Sequence, residues 1–417
     1  MRTEIGRRAL LAAGTGAAAA SLGAGLPAGR SARAQGNTIK IGVLTDMSGL
    51  YRDIAGPGSV ACTRQAVQDF GNQAGLSVEV IAADHQNKPD VGSNIARQWF
   101  DRDGVDVIVD VPTSSVALAV NGVVKEKNKV FLNSTAATAD LTGAACTPNT
   151  VHWTYDTWML ARSTGGALVK AGGDTWFFIT ADYAFGHALE RDTSNFIRAA
   201  GGKVNGQVRT PFPGTADFSS YLVQAQASRP KVIGLANAGG DTINCVKQAA
   251  EFGITRRGTK LASLLMFISD VHGMGLQTAQ GLVCTETFYW DLNDRTRALT
   301  GRVRGQMGGA APAMSQAGCY GATLHYLKAV ADMGVAAAKA SGADAVARMK
   351  AMPTDDDAFG KGSIRPDGRK IHPAYLFEVK KPEESKGPWD YYKLLQTTSP
   401  EEAFRPVAEG GCALVRS

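Results

Sequence analysis

From Thr38 onward the chain repeats one pattern: a short, almost unbroken apolar run, a polar turn, then a longer stretch with apolar positions three and four apart. Unbroken apolar runs of this length mark strands buried on both faces, and the wider spacing marks amphipathic helices. The pattern predicts strands at 38–45, 78–83, 105–111 and 130–132, separated by helices at 59–70, 91–101 and 116–126. It then restarts, with strands at 175–179, 203–208 and 231–236 and helices at 186–200, 217–227 and 241–252. Strands alternating with helices of this length form right-handed crossover units around a parallel sheet. Two blocks in succession predict an α/β fold of two similar lobes, each with a mainly parallel sheet flanked by helices.

Beyond residue 280 the reading is less regular. A strand at 281–286 returns the chain toward the first lobe, helices follow at 296–307 and 315–333, and 364–369 is a turn between two strands, the second at 374–379. This divides the chain into 37–153 with 286–340 as one lobe, 154–285 with 341–380 as the other, and a C-terminal tail, 381–417, packing on both. Open α/β sheets bind ligands beyond the carboxyl ends of their strands, so two such lobes face to face predict a cleft lined by the post-strand loops.

Residues 1–34 stand apart. Arg2, Arg7 and Arg8 precede a small-residue-rich apolar stretch over 9–26, and Ala32, Arg33 and Ala34 offer the small-x-small pattern of a signal-peptidase site. The pair Arg7-Arg8 is that of a twin-arginine signal, with an ordinary secretory signal as the alternative; either predicts export to the periplasm. Removing 1–34 takes five of the 44 Lys/Arg and one of the 38 Asp/Glu, leaving a formal net charge of +2. The basicity of the chain thus resides largely in the signal, and no footprint for nucleic acid remains. Mean hydropathy is −0.11, and no later run is apolar enough to span a membrane.

Export permits disulfides among the six cysteines. Cys146 and Cys412 lie in loop-like, Gly-rich contexts and form the expected bridge; Cys62, Cys245, Cys284 and Cys319 lie in apolar patterns and are expected as buried thiols. No Cys/His spacing suits a metal, and dinucleotide, phosphate-loop and nucleophile-elbow motifs are missing, so neither a cofactor nor an enzyme is expected. The loops after the strands are hydroxyl-rich instead. Thr113, Ser114 and Ser115 open a helix whose free N–H groups favour an anion such as a carboxylate, and Ser134, Thr135 and Thr138 follow the next strand. Helix capping is the simpler reading of the same hydroxyls.

The run Ile41–Gly49, Asp84 with Pro89, Val111–Ser115, Ala137–Thr142, Asp182–Gly186 and Thr215–Ser219 resembles, in order and spacing, the type I periplasmic binding proteins of the leucine/isoleucine/valine-binding branch. The resemblance covers 37 to about 380. It implies two lobes joined by three crossover segments, closing over a small solute that passes to the membrane permease and ATPase subunits of an ABC importer, with the receptor itself a monomer. It places the solute carboxylate on Thr113, Ser114, Ala137 and Thr138, aromatic cover on Tyr183 and Phe185, and cleft lining on Ser48 and Tyr51. Asn237 and Asp241 follow the strand at 231–236, and the stretch 266–270 lacks the usual acid for the solute ammonium, with Asp270 or Asp241 as substitutes. The ligand class stays open between amino acids and aromatic or other organic acids. The crossover aromatics at 151–156 and 288–291 read equally as ligand walls or hinge packing. A sensory ligand-binding module is the alternative function, and an exported hydrolase using His85 or His187 a more distant one.

Overall fold

The computed structural model describes residues 37–415, and the export signal read at 1–34 lies outside the described residues. The first apolar run forms β1 (Thr38–Thr45), followed by α1 (Gly56–Phe70), β2 (Ser77–Asp84), α2 (Pro89–Gln98), β3 (Val107–Asp110), α3 (Ser114–Glu126), β4 (Val130–Asn133) and β5 (Thr150–His152). They make a parallel sheet of order β2-β1-β3-β4-β5. Every residue of β3 and β4 is buried, as expected of central strands with helices on both faces, whereas β2 alternates in exposure as an edge strand does. Helix α1 starts earlier than the pattern predicts because Pro57 fits the first turn, where an N–H has no partner to lose.

The second lobe repeats the scheme with β6 (Thr175–Ala181), α4 (Ala184–Ala199), β7 (Lys203–Thr210), α5 (Ser219–Ala227), β8 (Val232–Ala236), α6 (Gly240–Glu251), β9 (Lys260–Ser263) and α7 (Ile268–Met274), in sheet order β7-β6-β8-β9. The remaining chain departs from the reading in three places. Strand β10 (Val283–Glu286) does not return to the first lobe: it packs beside β9, so the crossing comes after Glu286. Helices α8 (Asp294–Val303) and α9 (Met314–Met333) then join the first lobe, and so does α10 (Gly342–Ala351), which packs on β4 and α9 rather than on the second lobe. The turn at Arg365–Arg369 joins β12 (Gly360–Ile364) to the short β13 (Lys370–Ile371), after β11 (Thr354–Asp356), and not to the strand at 374–379. That strand, β14 (Ala374–Val379), pairs antiparallel with β10 and with β15 (Tyr392–Thr398) of the tail. No described helix is long and apolar enough to cross a membrane.

Three segments therefore pass between the lobes: 153–156, 287–293 and 372–373. The first is non-regular backbone in a dry interior, where unpaired carbonyls are costly. Arg369, fully buried, supplies the missing donors. Its guanidinium bonds the Thr154 carbonyl, the Tyr155 carbonyl at 3.4 Å and the Asp156 carboxylate at 3.4 Å. His372 places Nε2 within 3.2 Å of the Trp153 and Thr154 carbonyls, so the first and third crossovers are tied side by side. The second packs its aromatics against the tail: the Trp290 indole donates to the Trp389 carbonyl at 2.6 Å. The tail is secured at its far end by the Cys146–Cys412 disulfide, across a sequence separation of 266, while the other four cysteines are buried thiols.

Replacing Arg369 by Met takes the guanidinium away from the buried Thr154 and Tyr155 carbonyls and from the Asp156 carboxylate, and chemical denaturation is expected to show a loss of about 3–5 kcal/mol. Cys412→Ser opens a very long loop, and the same measurement is expected to show a loss of up to about 5 kcal/mol relative to the oxidised protein, with no difference once both are reduced.

Candidate functional site

Both sheets reverse strand order at one point, between β1 and β3 in the first lobe and between β6 and β8 in the second. The crevice at such a point is where loops diverge and a ligand can enter. Buried acids shape the first-lobe loops. Asp46 accepts from the backbone N–H of Gly49 at 2.7 Å and of Tyr51 at 2.8 Å, and from the Asn87 amide at 2.6 Å, folding the post-β1 loop so that Tyr51 turns inward. Asp110, at the end of β3 with φ of 86°, accepts from the hydroxyls of Thr45 at 2.7 Å and of Thr135, drawing the ends of β1, β3 and β4 together. Burial pushes its carboxyl up to about 6 despite those bonds.

Where the loops converge, a cavity of ≈ 10 Å³ lies between the lobes. Tyr51, Ile54, Pro112, Thr135 and Ala137 line it from the first lobe, Tyr155 from the first crossover, and Tyr183, Phe185, Ala238 and Leu265 from the second lobe. That volume is about the room one water needs, so the lobes are in close apposition here. Two contacts make the seam. The Tyr51 and Tyr183 hydroxyls are hydrogen-bonded to each other, and the Gly240 N–H donates to the Leu50 carbonyl at 3.4 Å. At Gly239, φ is +57° and an added Cβ would stand 2.7 Å from the Leu50 carbonyl, so only glycine permits this approach. A groove of ≈ 600 Å³ between Arg162, Phe196 and Leu376 is far roomier. It is lined by second-lobe and tail residues, and we place the site at the small cavity because the loops that follow β1, β3, β4, β6, β8 and β9 meet there.

Of the residues singled out in the sequence, Tyr51, Ala137, Tyr183 and Phe185 line the cavity together. Ser114 and Thr138 are joined to each other just behind Ala137, the Thr138 N–H donating to Ser114 Oγ at 3.3 Å. Thr113 is the N-cap of α3, but its hydroxyl is committed to Asn87, within the loop network. Ser48 is exposed and donates to Asp84 at 2.7 Å instead of facing the cavity. Asn237 is fully buried and accepts from the Thr242 hydroxyl at 2.8 Å, holding the start of α6. Asp270 accepts from the Phe267 N–H at 3.0 Å and so caps α7. Asp241, on the first turn of α6, is 1% exposed and neither of its carboxylate oxygens has a partner. The reading missed Phe212, whose ring stacks on Tyr183 at 3.9 Å and on Tyr51 at 5.6 Å, bracing aromatics of both lobes. It also left open the role of the crossover aromatics: Tyr155 is a wall, held by its hydroxyl to the Thr135 carbonyl at 2.6 Å, while Trp153, Tyr289 and Trp290 pack the hinge.

Burial, with little to offset it, pushes both Asp241 and Asp270 up to about 7. Burial, then the Tyr183 and Asp241 charges, hold the Tyr51 hydroxyl well above its ordinary value. The consequence for stability has a definite sign. Between about pH 4 and 7 the unfolded chain ionises Asp241 while the folded protein keeps it protonated, so stability falls as pH rises through this window and the full penalty applies above it. Asp241→Asn is therefore expected to stabilise the solute-stripped protein at pH 8, by up to about 4 kcal/mol, and hardly at all at pH 4. Denaturant titrations at the two pH values check this.

The family model described as periplasmic binding protein matches residues 38–387. A periplasmic binding protein from Burkholderia mallei is 50% identical, with a TM-score of 0.86 over 91% of this chain and 100% of that one. A branched-chain amino acid ABC transporter periplasmic ligand-binding protein from Burkholderia xenovorans LB400 is 40% identical, with a TM-score of 0.79 over 90% and 99%. At 23% identity, the fold alone is shared with a solute-binding protein from Rhodopseudomonas palustris HaA2 solved with p-hydroxybenzoic acid, at a TM-score of 0.77 over 87% and 97%. No curated protein matches the chain. Proteins of this group are substrate-binding components that work with membrane permease and ATPase subunits, which places them in the periplasm. With two parallel-sheet lobes, three crossovers and a cavity between the strand ends, the chain belongs to the periplasmic binding protein family, in its leucine/isoleucine/valine-binding branch.

Proposed function

We infer that this chain is the solute receptor of an ABC importer and that it holds a small carboxylate-bearing solute between its lobes, unchanged, for delivery to the permease. The observation that carries the reading is the cavity at the switch points of both sheets, lined from both lobes and walled by aromatic rings. The first-lobe side is suited to a carboxylate: Ser114 Oγ, the Thr138 N–H it accepts from and the open amides at the start of α3 lie together behind Ala137. Tyr183 and Phe185 cover the other side. Entry of a solute requires the seam to part, by rotation about the three crossovers, with breakage of the Tyr51–Tyr183 and Gly240–Leu50 contacts. Contacts from both lobes then favour the closed form by as much as the solute prefers it. The 40% identity to a branched-chain amino acid transporter component supports import over a sensory role.

The test is direct. Solute released by denaturing the exported protein is identified by mass spectrometry and added back to stripped, refolded protein. The melting temperature is expected to rise with its concentration, by about 2.7 kcal/mol of added stability at a hundred times the dissociation constant. Tyr183→Ala is expected to weaken binding by about tenfold or more through the loss of one aromatic wall. Recovery of a chemically altered solute after incubation overturns the reading, as does the failure of any released solute to restabilise the protein.

A further inference from the structure

The last stretch of the chain, 399–412, is broken by Pro400, Pro406, Gly410 and Gly411 and forms no strand, so side chains rather than a sheet fix its place. It leaves the second lobe, where β15 pairs with β14 and β14 with β10. It ends on the first, where Cys412 is bonded to Cys146 with their Cα atoms 5.6 Å apart. On the way the Phe404 ring covers the hinge clamp, 4.4 Å from the Arg369 guanidinium and edge to face with the His372 ring at 5.1 Å. We propose that this tail is a strap joining the lobes a fourth time, and that through Arg405 it holds the first-lobe loop of Ala137 and Thr138 in the position that meets the solute. The inference rests on the solute-receptor reading of the cleft and adds to it a positioning residue outside the cavity.

Three observations carry it. The first is that the loop has no ladder of its own. Between the end of β4 at Asn133 and a 3₁₀ turn at Ala139–Thr142, residues 134–138 belong to no strand, and Ala137 lines the cavity from this segment. The second is the pair of grips on Ala139. From the hinge side, the Thr157 N–H donates to the Ala137 carbonyl at 2.8 Å, and the Thr157 hydroxyl accepts from the Ala139 N–H at 3.2 Å. From the tail side, Arg405 Nη2 donates to the Ala139 carbonyl at 3.0 Å, where the Thr142 hydroxyl, at 3.4 Å, is the more distant donor. Arg405 is itself pinned: its carbonyl accepts from Arg365 Nη1 at 2.8 Å, and Arg365 forks onto Asp367 at 2.6 and 3.2 Å. The third is how closely the loop and the tail approach. An added Cβ at Gly143 would stand 2.7 Å from the Gly410 carbonyl and 2.8 Å from Arg405 Nη2, and the disulfide fastens the same loop at Cys146.

Ala139 is thus held at its N–H by one lobe connection and at its C=O by another, and Ala137 and Thr138 take their place from it. Without Arg405 the carbonyl side is released and the loop samples other positions. Affinity for a solute then falls by the fraction of time the binding position is kept.

Hydrogen exchange followed by mass spectrometry, on stripped protein, reads the loop directly. Arg405→Ala is expected to speed exchange in 134–142 by about tenfold, while 107–110, in the core of the same lobe, exchanges as in the parent. Arg405→Lys, which keeps a charged donor, is expected to recover part of the protection, and Cys412→Ser to speed exchange in 134–142 more than in 107–110. Calorimetry with leucine and with p-hydroxybenzoate, and with the solute released from the native protein if neither binds, reads the effect on the site. The probe that binds the parent is expected to bind Arg405→Ala about tenfold more weakly, with Arg405→Lys in between. Melting curves of the unliganded variants establish that each is folded. Unchanged exchange in 134–142, or equal acceleration in both segments, overturns the strap. A loosened loop with unchanged affinity overturns the positioning role of Arg405 and leaves the receptor reading intact. If no probe and no released solute binds the parent, the receptor reading falls and the positioning role with it, and exchange judges the strap by itself.

Discussion

A chain that crosses between two lobes three times must bury backbone that belongs to neither sheet, and satisfying that backbone is the constraint on which the rest of this structure depends. Strands and helices pair their own N–H and C=O groups; the 153–156 segment cannot. Arg369, just before β13, and His372, in the third crossover, answer its carbonyls, so two of the three connections form one hydrogen-bonded unit. The arrangement also sets the site, because the backbone clamped by Arg369 is the backbone that carries Tyr155 into the cavity. A guanidinium suits this position because its planar fork reaches several acceptors at once and stays charged when buried, here down at about 10 against its ordinary value but still protonated.

The lobes contribute unlike chemistry to a common crevice. On the first, acids are consumed locally: Asp46 and Asp110 spend their oxygens on loop amides and threonine hydroxyls. On the second, Asp241 is held at the start of α6 without a partner. A solute held between the lobes, as proposed, makes its full set of contacts only when the lobes are together. That is the physical basis for coupling recognition to closure, since a contact made to one lobe alone would bind the solute without favouring either arrangement. The small cavity and the glycine-dependent approach of Leu50 to Gly239 show how little slack the closed seam contains.

The elements most legible in the sequence were the buried strands and the helices between them. Val107, Ile108 and Val109, like Val232–Ala236, are apolar because both faces of a parallel sheet are covered, and that requirement acts on each residue locally. The loops holding Tyr51, Ala137, Tyr183 and Phe185 were legible for a related reason, as they follow such strands and carry the spacing of a known family. The bridge between Cys146 and Cys412 was legible because only those two cysteines lie outside apolar runs. The later chain was harder. Helix α10 and strand β14 have similar local patterns to elements of either lobe, and nothing within them states which sheet they join; that depends on partners such as β4 and β10 far away in the sequence.

By itself, then, the sequence determined the class of fold, the order of the units and the loops from which a site must come, because periodicity and turn chemistry are properties of neighbouring residues. Only the tertiary structure decided which side chains face one another. Ser48 turned outward to Asp84, Asp270 was spent on a helix end, and Phe212, unremarked in its own segment, became the brace behind two tyrosines. Whether Asp241 has a partner is settled by every group that packs around it, and the lobe assignment of the final strands by pairings across the fold. Such outcomes belong to the three-dimensional arrangement, since burial and hydrogen bonding are decided by what surrounds a residue and not by what adjoins it.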